Sequence, residues 1–290
     1  MDDHPWQFGF ARGELRLSTS MRAALRTLVL SPSLPASPSR SIAALARRRL
    51  CDVEGALTAL GRTVAIELLP LREQCRLLRL PLEEREHEWT GRCEDAAADL
   101  YRSACVEVCA HEGRTLRALI HALVLPRLRE AGHATWANDD RVRSYFYGSY
   151  GGYRFLLDSD PSLPAGMLAS VLGGSDAAFE RSWATLAAWN AGLFSDHPAA
   201  RLTAEEASRL LRVAGRQVLH DLLARELTIP GAFGSGWPDL TLFDADRGVE
   251  LVEVKTTDRL HFAQIVTVEA MRGVDGLSVR VLRLRRPRRR

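Results

Sequence analysis

The feature that most constrains this chain is a change of character near its C-terminus. After a long, largely helical stretch come two short β-rich runs, LTLF (240–243) and VELVEV (249–254), joined by the turn-forming DADRG. Short runs of Val, Leu and Phe separated by Asp, Arg and Gly predict a β-hairpin. DRLHFAQIVTVEAMRG then predicts a helix, and LSVRVLRLR a final strand. Helix, two strands, helix and strand in that order imply a small α/β or mixed sheet at the C-terminus.

Upstream the pattern is helical. SIAALARRRL and VEGALTALGRTVAIELLPL cover much of the span from 42 to 80, and LREQCRLLRLPLEERE adds a short amphipathic piece. LSPSLPASPSRS (30–41) reads as an extended linker. The span 93–130 reads as one long helical stretch, with Leu116, Leu119, Ile120, Leu123 and Leu128 at helical spacing. Residues 161–230 are helical again, interrupted at DSDPSLP and FSDHPAARLT. The expected organisation is a mainly helical N-terminal region over 1–90, then a sheet-containing domain with a helical insertion over 91–290. The apolar runs are too short to cross a bilayer, and MDDHPWQFGF lacks a signal-peptide core. A soluble cytoplasmic protein is therefore expected, associated with the nucleoid if the cell is bacterial.

Five cysteines, Cys51, Cys75, Cys93, Cys105 and Cys109, form no CxxC pair. Cys105 and Cys109 are read at i, i+4 on a helix, but no further ligands stand at the spacing a zinc site needs. Small buried thiols in a reducing compartment are the simpler reading.

Of the 39 Lys and Arg residues, Lys255 alone is lysine. Arginine is so abundant that it says little about function, so the one ammonium stands out. It lies two residues after Glu253 on the second strand of the predicted hairpin, and period-two alternation puts both on one face. Asp239 opens the first strand and can approach the same place. Two carboxylates and an ammonium would then converge. Hard cations such as Mg²⁺ or Mn²⁺ take oxygen ligands, which two carboxylates and a strand carbonyl supply. A bound metal lowers the pKa of water, and a lysine can orient that water or stabilise developing charge. Arginine is a poorer substitute, because it does not readily transfer a proton. The competing reading is a surface hairpin with a cross-strand ion pair.

Glu112 stands four residues before Leu116, so on a continuous helix it would project from the apolar face, where a bare carboxylate is costly. Alternatively it caps the helix start beside Gly113. In WANDDRVRSYFYGSYGGYRF (136–155), Arg141, Arg143 and Arg154 interleave with tyrosines including Tyr147. Such a segment can stack bases and hold phosphates, or pack a loop onto the protein body. RRPRRR closes the chain; Arg285 and Arg286 there, with Arg259 after the lysine, are further candidates for phosphate contact.

SGWPDLTLF, LVEVK, DRL and Gln264 together resemble the VRR-NUC branch of the PD-(D/E)XK nucleases, and more narrowly the Fanconi-associated nuclease family of structure-specific DNA repair nucleases. WTGRCEDAAADLYRSACVEVCAHEGRTLRALIHALVL is similar to that family's helical block, in which a Glu-Gly pair begins a Leu-rich helix. The resemblance covers about residues 90 to 285, and its PD…ExK part is the most specific. It implies an α+β fold, with a restriction-endonuclease-like core of mixed sheet flanked by helices behind a mainly helical N-terminal region. It implies Asp239, Glu253 and Glu112 as metal-binding carboxylates, the Val254 carbonyl as a further ligand, Lys255 as the catalytic lysine and Gln264 as a residue near the site. The family carries a Gly-Pro pair and one further residue before Asp-Arg-Leu, where this chain has Thr256 and Thr257.

The expected function is that of an Mg²⁺- or Mn²⁺-dependent deoxyribonuclease, endonucleolytic or exonucleolytic, acting on flapped or branched DNA in repair. The alternatives are a dimeric Holliday-junction-resolving nuclease, an antiphage or toxin nuclease, and a non-catalytic DNA-binding module.

Overall fold

The computed structural model describes residues 16–31, 39–102, 107–110, 112–131, 160–190, 197–229, 233 and 235–287. Four N-terminal helices come first: α1 (Thr19–Leu30), α2 (Arg40–Arg47), α3 (Ala59–Glu67) and α4 (Leu71–Leu78). The first three start where Ser18, Ser39 and Thr58 accept a hydrogen bond from a first-turn N–H, which satisfies a donor the helix itself cannot. Then come β1 (Leu82–Glu86), α5 (Cys93–Arg102), β2 (Glu107–Cys109) and α6 (Arg114–Glu130). A helical layer follows: α7 (Leu163–Gly173), α8 (Asp176–Asn190), α9 (Pro198–Arg201), α10 (Ala204–Ala214) and α11 (Arg216–Thr228). The chain ends in β3 (Leu240–Asp244), β4 (Gly248–Lys255), α12 (Phe262–Met271) and β5 (Leu277–Arg285).

The strands form one mixed sheet in the order β1-β5-β4-β3-β2. The predicted hairpin is present: β3 and β4 are antiparallel, with Leu240 opposite Val252 and Asp244 opposite Gly248. Asp244 Oδ1 accepts from the Asp246 and Arg247 N–H groups, and Gly248 takes the positive φ of 79° that closes the loop. β4 and β5 are parallel, joined through α12 as parallel neighbours require. The sheet has helices on both faces. Val249 and Leu251 share a core with α6, α10 and α11, while Val252 and Val254 pack with Ala97, Ala98 and Tyr101 of α5. A third cluster joins α1–α4 to Leu260, Ile265 and Val281.

Two strands were not anticipated. The end of the amphipathic piece is β1, so the sheet draws a strand from before residue 91. Its sequence, LEERE, has no hydrophobic alternation because it is an edge strand, held by its ladder to β5 and by ion pairs such as Glu83–Arg280 and Glu84–Arg285. The stretch from 93 to 130 is not one helix either. Glu107–Cys109 pairs with Thr241–Phe243, which also overturns the placing of Cys109 on a helix with Cys105; Cys105 lies outside the described residues. A three-residue strand is too short for any periodicity to reveal. No described helix is long and apolar enough to cross a membrane.

Candidate active site

Three chain segments meet at the start of β3. The first is SGWPD. Gly236, at φ 83°, lies so close to α12 that a Cβ there would sit 2.4 Å from the Ala263 carbonyl carbon. Thr267 Oγ donates to the Ser235 carbonyl at 2.7 Å, which fixes the same approach. The second segment is the Glu112–Gly113 turn. A Cβ on Gly113, which has φ 67°, would fall 2.0 Å from Cε3 of the buried Trp237. The Glu112 N–H donates to the Asp239 carbonyl at 3.3 Å. The third segment is the end of β4. The Val254 N–H donates to Asp239 Oδ2 at 2.8 Å, so this carboxylate is seated on the strand that carries Glu253 and Lys255.

Glu253 is only 1% exposed and Lys255 6%. Lys255 Nζ stands 2.9 Å from Glu253 Oε1 and 3.6 Å from Asp258 Oδ2. Gln264 Nε2 donates to the same Glu253 Oε1, while Gln264 Oε1 accepts the His261 N–H at 2.9 Å. Glu253 Oε2 is buried and has no hydrogen-bond partner among the described residues.

The electrostatics follow from this burial. Burial pushes Asp239 up to about 6, with Glu94 and Glu112 adding to the rise and the Val254 N–H and Lys255 opposing it. Glu253 is pushed up to about 8, first by burial and then by Asp239. Burial works against the charge on Lys255, but Glu253, Asp258 and Asp239 outweigh it and raise its pKa. The site thus crowds together more carboxyl groups than its one ammonium can keep ionised. Among the described residues, no three His, Cys, Asp or Glu side chains form a ready-made metal cage. The oxygen-only donor set and the orphaned Glu253 Oε2 nevertheless suit a hard divalent cation.

The structure brings Asp239, Glu253, Val254, Lys255 and Gln264 together. Glu112 joins them, but not for the reason its spacing gives. Gly113 caps α6 in a left-handed conformation and the helix begins at Arg114, so Glu112, at φ 46°, is exposed rather than on the apolar face. Its backbone meets Asp239, and its charge is felt by Asp239 and Arg92. Glu94 in the first turn of α5 is an unanticipated neighbour of Asp239, and Asp258 an unanticipated partner of Lys255. Asp258, three residues after the lysine, lay within reach of a local reading; no local pattern marks Glu94.

Of the residues expected to touch DNA, Arg141, Arg143, Tyr147 and Arg154 lie outside the described residues. Arg259 is exposed on the loop after β4. Arg285 pairs with Glu84 at 2.9 Å, and the Arg286 guanidinium lies 4.9 Å from the centre of the Trp89 ring.

No protein-family model matches this chain, and no curated protein matches it. Among solved structures, the crystal structure of paFAN1 bound to 2nt 5′flap DNA with gap superposes with a TM-score of 0.57 over 93% of this chain, at 19% identity. The fold is similar to that of paFAN1. The match covers 50% of the paFAN1 chain, so this chain spans about half its length. A second paFAN1 structure, bound to 1nt 5′flap DNA with gap, gives a TM-score of 0.47 at 16% identity, over 90% of this chain and 51% of that one.

Proposed function

We propose that this chain is a metal-dependent nuclease that hydrolyses phosphodiester bonds in flapped or branched DNA. The observation that carries this reading is the convergence of Asp239, Glu253 and Lys255, with one oxygen of the buried Glu253 left without a hydrogen-bond partner among the described residues. Similarity of fold to paFAN1, which is seen bound to 5′flap DNA, supports the substrate class.

Asp239, Glu253 and the Val254 carbonyl would hold Mg²⁺ or Mn²⁺, with Glu112 as a further carboxylate. When bound, the cation supplies Lewis-acid charge and a water of lowered pKa. The protein's own groups prepare the rest. Gln264 and Lys255 occupy Glu253 Oε1, so Oε2 is the oxygen that would be available to a cation. The Val254 N–H holds one oxygen of Asp239 against the strand. Lys255, kept protonated by its acidic neighbours, is placed to orient water or offset negative charge on a phosphate oxygen, an effect strengthened by burial. Arg259, Arg285 and Arg286 are exposed cations that can meet the DNA backbone.

A panel of labelled 5′-flap, 3′-flap, nicked, four-way-junction and single-stranded DNAs, each with Mg²⁺ and with Mn²⁺, tests the proposal. Metal-dependent cutting of flapped or branched substrates is expected. Failure to cut any of them would overturn it.

A further inference from the structure

A polar side chain occupies an interior position of α4. Leu71, Gln74, Cys75 and Leu78 form its buried stripe, and Gln74 is 0% exposed. A buried amide is costly unless its groups are paired, and here they are. Gln74 Oε1 accepts the Leu260 N–H at 2.8 Å. Its Nε2 donates to the Leu260 carbonyl at 3.0 Å and to the Ile66 carbonyl, at the end of α3, also at 3.0 Å. One side chain thereby ties both backbone groups of Leu260 to two N-terminal helices. Next to it, Glu67 Oε1 accepts the Phe262 N–H at 3.0 Å, the first N–H of α12.

These contacts fall at a sensitive place. Leu260 ends the loop that leaves the site at Lys255 and carries Asp258, the second carboxylate beside Nζ. His261, which follows, donates its N–H to Gln264 Oε1, and Gln264 in turn donates to Glu253. The Leu260 side chain is fully buried in the cluster built by α1–α4. A continuous line of hydrogen bonds and chain therefore runs from α3 and α4 through Leu260 and α12 to the Glu253 carboxylate.

We propose that α3 and α4 are a positioning element of the active site, with Gln74 and Glu67 as positioning residues. They fix the start of α12 so that Gln264 meets Glu253 and Asp258 meets Lys255. This rests on the nuclease reading above. Misplacement of a reacting group by about an ångström can cost a hundredfold in rate, so a clamp of this kind acts on turnover more than on binding.

The test compares the whole chain carrying Gln74→Leu or Glu67→Ala with Leu45→Ala, a core truncation in α2 of the same cluster that removes none of these hydrogen bonds. Single-turnover cleavage of flapped DNA, DNA affinity and amide hydrogen exchange are measured on each. We expect Gln74→Leu to lose about tenfold or more in cleavage rate with affinity kept within about twofold, and to lose exchange protection at Leu260 and His261. Glu67→Ala should be slower, and Glu67→Gln, which keeps an acceptor for the Phe262 N–H, should recover part of the loss. Leu45→Ala should lower thermal stability and leave the cleavage rate unchanged. Gln74→Leu cutting at the wild-type rate, or no slower than Leu45→Ala, would overturn the proposal. A wild-type protein that cuts no DNA would instead sink the nuclease reading. Exchange would then decide the clamp alone, and full protection of Leu260 in Gln74→Leu would refute it.

Discussion

Replacing Gly113 by alanine is expected to damage both the fold and the site. At φ 67° any L-residue other than glycine is strained, which costs about 1–2 kcal/mol. The new Cβ would also lie 2.0 Å from Trp237 Cε3 and 2.4 Å from Cδ2, well inside van der Waals contact. The indole cannot simply swing away, because Trp237 is buried and its Nε1–H donates to the Phe233 carbonyl at 2.9 Å. Overpacking of this kind costs about a further 1–3 kcal/mol, so the total is about 2–5 kcal/mol. For a chain of this size, about 2 °C per kcal/mol gives a drop in melting temperature of about 4–10 °C. Gly91→Ala is the matched control: its φ is 83°, but nothing lies within 4 Å of the added Cβ. It should lose only the backbone strain, about 1–2 kcal/mol. Urea denaturation of the two variants isolates the clash, and cleavage assays should show activity falling with Gly113→Ala alone, as the Glu112 N–H leaves the Asp239 carbonyl. Equal stability losses in both variants would refute the claim that Trp237 locks this turn.

Other expectations follow from the same geometry. Lys255→Arg should lower the cleavage rate by at least about a hundredfold while DNA affinity changes little, because the larger guanidinium must enter a pocket fitted to Nζ. Glu112→Gln should abolish cleavage with the protein still folded and still binding DNA; a fully active variant would remove Glu112 from the site. In metal-free protein Glu253 binds its proton up to about pH 8, whereas the unfolded chain releases it near 4.5, so its contribution to stability is lost progressively as pH rises from about 4.5 to 8. Between about pH 5.5 and 7.5, wild-type stability should therefore fall relative to Glu253→Gln, by up to about 1.4 kcal/mol per pH unit, and urea midpoints of the two proteins that stay parallel would count against it.

The hairpin, α12 and β5 were legible because their signals are local. Alternating apolar residues in VELVEV, an Asp-to-Gly turn and a helix between strands each follow from neighbours in sequence. β1 was hidden because an edge strand protects itself with charge, and LEERE carries the polarity of a surface loop. β2 was hidden because backbone pairing to β3, not its own three residues, makes it a strand. Lys255 stood out by composition, and Glu253 by period-two alternation. Glu112 is instructive in another way: spacing placed it on a helix face that does not exist, whereas the Glu-Gly pair marked the start of α6, and only the fold shows that turn packed against Trp237. Gln74 and Glu94 left no trace, because their partners are assembled only by the fold.

The nuclease assignment meets its most direct test in cleavage of a labelled 5′-flap duplex by wild-type protein and by Glu253→Gln, a nearly isosteric change, each with Mn²⁺ and with EDTA. The wild type should cut with Mn²⁺ and not with EDTA, and the variant should cut under neither condition. Undiminished cutting in EDTA, or wild-type rates from Glu253→Gln, would contradict the assignment.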